Sequence, residues 1–252
     1  MAAAIKLSGC RVDKMLVKEP LAMKCAFGEN PKRCYGQAGK KAPMTRMGVA
    51  ALLRELLFKT RRYLEDKEAG KAPAFDMKLE SMIPVVKGEL PLKVHAHRHD
   101  DILTAIRIGK EFGLKLTLDH CTDGALIAGE LAEEGFPAFV GPTFGGKSKI
   151  ELQNKSFETP RVLYEAGVDI AIITDAPVIP LHYLPLCAGF AIKAGMDEYD
   201  ALRAITISPA EHIGIADRVG SLEEGKDADI VIVDGNPFDV TGVIRHVLID
   251  GK

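Results

Sequence analysis

LKVHAHRHDDILTAIRIGKEFGLKLTLDH, residues 92–120, decides the fold. It opens on a short apolar run, Leu92 to His97, and passes into a stretch from Asp101 to Phe112 with apolar residues at helical spacing. A second apolar run, Leu114 to Asp119, closes it. Two strands separated by a helix read as a parallel pair with a crossover, since antiparallel neighbours need only a tight turn. The alternation continues in both directions. Downstream, a helix is expected from Asp123 to Glu134, a strand from Phe136 to Val140 and another from Val168 to Thr174. Ser156 is expected to cap a helix reaching Ala166, with Gly167 as its stop. Upstream, Leu21 to Ala26 is a further strand. The stretch from Thr45 to Asp66 is a helix whose Val49, Leu52, Leu53, Leu56 and Leu57 face the core. Helices are expected again over Tyr199–Thr206 and Pro209–Ile213. The whole predicts an α/β fold around a parallel sheet.

The final stretch changes character. Ala228–Val233 and Val243–Ile249 are β-rich and separated by Asp234-Gly235-Asn236-Pro237, a strong turn signal. They predict a small antiparallel module after the α/β part.

Bulk composition narrows the function. The 252 residues are 47% hydrophobic and carry a formal net charge of -2, so neither nucleic acid nor an anionic membrane surface is an expected partner. Five scattered cysteines without a C-x-x-C pair fit a reducing, cytoplasmic setting rather than a disulfide framework. No run is long and apolar enough to span a bilayer.

The polar residues fall at informative places. His95 and His97 stand at the C-terminal end of one expected strand, His120 just past the next, and Asp175 just past another. In a parallel barrel those strand ends are where active-site groups converge. Imidazoles with a carboxylate suit Zn²⁺ or a similar divalent ion. A strand-end histidine is also often only hydrogen-bonded, and a strand-end aspartate often caps the next helix. Three such positions on one face are harder to dismiss together, and a metal site stands beside the structural reading and beside acid–base chemistry without metal.

VHAHRHDD (94–101), LDHC (118–121) and ITDAP (173–177) resemble strands five, six and eight of the metal-dependent amidohydrolases, in the imidazolonepropionase-like and prolidase-like branch. LAMKCAFGENPKR (21–33) is similar to strand four and its loop. ALRAITISPAEHIGIADRVGSLEEGKDADIVIVDGNP (201–237) resembles the family's passage from barrel to β-sandwich. The resemblance implies a partial TIM-type (β/α) barrel over residues 1–217 and β-sandwich strands over 218–252. It implies hydrolysis of a carbon–nitrogen bond in a small amide or cyclic amide, with one or two divalent ions, zinc foremost. His95, His120 and Asp175 would be metal ligands, joined by Glu29 or, alternatively, Lys24. Asp175 would also be the general base, and His120 would either bind a second ion or polarise the substrate carbonyl. His97 would touch substrate, bind metal or support a ligand. Arg98 would face a substrate carboxylate or pair with Asp100 or Asp101.

The family's first strand carries an H-x-H pair, and no H-x-H precedes His95 here. The resemblance thus places strands one to three outside this sequence, and one half of the β-sandwich with them. Open sheet edges then lead to the expectation of a homo-oligomer, or of a further N-terminal segment, and of weak metal binding by the chain alone. A truncated, non-catalytic scaffold is the competing functional reading.

Overall fold

The computed structural model describes residues 1–252. Six strands form one sheet in chain order: β1 Ala2–Ile5, β2 Leu16–Ala26, β3 Leu92–Ala96, β4 Leu116–His120, β5 Ala138–Val140 and β6 Ile170–Ile172. From β2 to β6 every neighbour is parallel, and the sheet curls into a half-barrel of the TIM type. β3 and β4 are covered on both faces, as parallel strands with helical crossovers require. Their outward residues Leu92, Val94, Leu116 and Leu118 belong to a large buried cluster with Ile102, Ile106, Ile108 and Phe112.

The inward face is different. Lys24 pairs in register with Lys93, and Lys93 with Thr117, while His95 pairs with Asp119. Side chains alternate along a strand, so Lys24, Lys93, His95 and Asp119 share the concave face. Asp119 is buried and accepts hydrogen bonds from both Lys24 and Lys93, the latter at 2.6 Å.

The helices follow the sequence with instructive exceptions. Arg46–Glu68 starts where Thr45 accepts a hydrogen bond from the Gly48 N–H at 3.0 Å. Val49 and Leu57 are buried and Leu53 and Leu56 pack on the core, but Leu52 is exposed. It stands on the rim of an apolar groove of about 220 Å³ between β2 and this helix, lined also by Phe27, Tyr35 and Leu56. The helix expected from Ser156 begins instead at Thr159. Ser156 forms a local turn, its Oγ accepting from the Glu158 N–H at 3.1 Å, and Pro160 fits the first helical turn. Several elements were not expected, helix Leu184–Lys193 among them. β1 lies antiparallel on the first half of β2, which therefore starts at Leu16 rather than Leu21. Met77–Val86 is a helix capped by Asp76.

The tail forms a separate two-stranded antiparallel sheet, β7 Ile230–Asp234 with β8 Val243–Leu248. Its turn docks on helix Leu184–Lys193: Phe238 is buried, and a Cβ on Gly189 would lie 2.7 Å from the Phe238 carbonyl oxygen. Lys6, just beyond β1, ties the sheets together from the other side. Its ammonium pairs with Asp227 at 2.8 Å, Asp229 at 3.1 Å and Asp250. No helix is long and apolar enough to cross a membrane.

Candidate metal centre

Three imidazoles meet at the C-terminal ends of β3 and β4. His95, His97 and His120 are buried, and one ligating nitrogen from each lies within 4.8 Å of the others. His95 and His97 share the concave face by alternation. His120 would point outward on the same rule, since Asp119 already points in. It is turned by a left-handed backbone: φ is 75° at His120 and 44° at Cys121. Such angles cost non-glycine residues of order 1–3 kcal/mol each and collect at functional sites. The result is a ring centroid 4.3 Å from that of His95 and 4.6 Å from that of His97.

Each ring is oriented from behind. His120 Nδ1 donates to the Gly141 carbonyl at 2.7 Å, which leaves Nε2 with its lone pair. Gly141 has φ 131°, and a Cβ there would stand 2.3 Å from the Ile173 carbonyl oxygen, so only glycine presents that carbonyl to His120. His97 Nδ1 is 2.8 Å from Thr122 Oγ1. His95 Nε2 is 3.1 Å from Asn30 Nδ2, and Lys149 donates to Asn30 Oδ1 at 2.6 Å. With its oxygen held by Lys149, the amide must offer its N–H to His95. A group that gives hydrogen to this lone pair stands where a cation would.

Burial, then the neighbouring imidazoles, push His95 down to about 2 and His97 to about 3. Burial also lowers His120. All three are neutral at pH 7, the form that ligates metal. Three close, neutral, outer-braced imidazoles fit a borderline divalent cation and do not fit three cationic groups.

The other expected residues lie around this cluster rather than in it. Asp175 follows β6 with φ 51°, is exposed, and favours the charged forms of His120 and Lys93 through its own charge. Glu29 sits three residues past β2, and its backbone N–H donates to Glu151 at 2.9 Å. Lys24 is bonded to Asp119 on the concave face. Arg98 is committed to Asp100, with Nε and Nη2 each 3.0 Å from a carboxylate oxygen. Sequence reading missed Asn30, Thr122, Lys149 and Glu151. Only Thr122, two residues past His120, carried a local signal.

The amidohydrolase family model matches residues 87–252. The chain belongs to the amidohydrolase family. An amidohydrolase from Thermotoga maritima MSB8 is 43% identical with a TM-score of 0.95, covering 99% of this chain and 66% of that one. An imidazolonepropionase of Geobacillus kaustophilus is 33% identical over 170 residues, 66% of this chain and 35% of the relative. A 5-methylthioadenosine/S-adenosylhomocysteine deaminase of Teredinibacter turnerae is 30% identical over 192 residues, 66% of this chain and 42% of the relative. This amidohydrolase chain thus spans less than half the length of these two curated relatives.

Proposed function

We propose that this chain hydrolyses the carbon–nitrogen bond of a small amide or cyclic amide, with zinc or a similar divalent ion, one or two per site. One observation carries the reading: three buried, neutral imidazoles with ligating nitrogens within 4.8 Å at the C-terminal mouth of a parallel half-barrel. A divalent ion bound there supplies a Lewis acid and brings the pKa of water from about 16 towards 7.

The chain's own groups do the rest. His95 and His120 offer lone pairs, and the Gly141 carbonyl holds the His120 proton on Nδ1. Asp175, exposed just past β6, would hold the ion together with His95, His120 and Glu29 and is the base; its carboxylate takes the proton of the attacking water and hands it to the leaving nitrogen. Glu29 is the ligand from the loop after β2. His97 and Arg98 face substrate, with Asp100 steadying the guanidinium. Residues 1–217 form the hydrolase domain and 218–252 the β-sandwich strands. The five unpaired cysteines support a cytoplasmic setting. The apolar groove beside β2 supports an assembly in which a second copy, or further polypeptide, covers it.

The test is titration of the metal-free chain with Zn²⁺, followed by assay on N-acyl amino acids, dipeptides and cyclic amides. Saturable binding and hydrolysis that both disappear in His95→Asn and with chelator are expected. Hydrolysis that ignores chelator, or absence of any saturable Zn²⁺ binding, sinks the reading.

A further inference from the structure

Glu151 exposes none of its side chain, in the turn Ile150–Leu152 of the loop after β5. A carboxylate taken fully out of water costs several kcal/mol unless donors surround it. Its donors converge from separate parts of the chain. Oε2 accepts the Glu29 N–H at 2.9 Å and lies 4.0 Å from Arg46 Nη2, a buried nitrogen with no hydrogen-bond partner. Oε1 lies 3.5 Å from Lys149 Nζ and 3.9 Å from His97 Nε2. Gly28, with φ 75°, permits the approach, since a Cβ there would stand 2.6 Å from Oε2.

Two of these contacts enter the histidine cluster by independent routes. His97 faces the carboxylate directly with Nε2, while Thr122 holds its other nitrogen. Lys149 is drawn to Oε1 and bonds Asn30, whose amide meets His95. We infer that Glu151 is a positioning residue that sets the orientation of both His95 and His97, and so the shape of the cluster. A latch that merely closed the loop would need the Glu29 N–H alone. This carboxylate instead turns its second oxygen to Lys149 and His97, each a way into the cluster.

Glu151→Gln tests this, because it keeps the volume and an acceptor for Glu29 and removes the charge. The first readout is the ¹⁵N imidazole spectrum of the metal-free chain, in which His95 and His97 are expected to move while His120 stays. The second rests on the metal reading above: Co²⁺ affinity is expected to fall 10–100-fold, as when the groups behind metal ligands are lost. If Glu151→Gln does not fold, Lys149→Met removes the bond to Asn30 and should move His95 more than His97. Unmoved rings in whichever variant folds overturn the inference, and so do moved rings with unchanged Co²⁺ affinity. A parent chain that binds no Co²⁺ defeats the metal reading instead, and the ring signals then decide this one alone.

Discussion

Strands β3 and β4 and the hairpin β7–β8 are written in the same apolar alphabet and meet opposite fates. LKVHA and LTLDH are buried at every position but Lys93, which is half-buried. IVIVD and VIRHVL have no buried residue at all. Local sequence therefore sets strand formation in both, and what covers the strand sets its energetics. In the covered strands His95, Asp119 and His120 each come with a dedicated set of partners, and only the Thr117 hydroxyl is buried without one. In the hairpin, polar and apolar residues are nearly interchangeable.

The largest contrast lies in truncation of the core. Leu118→Ala, at a fully buried position, is expected to cost about 2–5 kcal/mol in urea unfolding. A loss below about 1 kcal/mol would mean that helices do not cover this face of the sheet tightly.

Acid comes next. His95 has a folded pKa near 2 against about 6.5 unfolded, so the folded state binds fewer protons, and stability is full above pH 6.5 and falls as pH drops towards the folded value. Between pH 6.5 and 4.5 the His95 share is about 2–3 kcal/mol. His95→Gln should flatten that part of the pH–stability curve, and an unchanged slope would show that His95 is not buried neutral.

Gly141→Ala sharpens the contrast at the site itself. The strain at φ 131° and the clash with Ile173 should cost about 1–3 kcal/mol and disturb the His120 ring signal in the same variant. A stable variant with an undisturbed His120 would remove Gly141 from the site. Smallest is Ile244→Ala on the exposed hairpin, expected within about 0.5 kcal/mol. A loss as large as that of Leu118→Ala would show that the hairpin is covered in solution by another polypeptide.

The strands and the histidines were legible because their signals are local. Apolar runs bounded by glycine gave β3 to β6, and His95 and His97 share a face by simple alternation. His120 broke that alternation, and only its backbone twist brings it inward. Asn30, Lys149 and Glu151 were illegible for a different reason. They arrive from loops that are 119 to 122 residues apart in sequence, and no spacing rule relates them. β1 was missed because a four-residue strand has little periodicity and its partner is the front half of β2. Met77–Val86 had a legible cap in Asp76, hidden by Pro84 inside the helix.

The ammonium of Lys6 has one further consequence. Its three counter-charges lie 221 to 244 positions later in the polypeptide, so during synthesis it stays hydrated until the last strand has emerged. β1 is thereby secured only after the hairpin has been made. A proteolytic nick before Asp227 that released the hairpin would also strip Lys6 of its three counter-charges and leave β1 held by β2 alone.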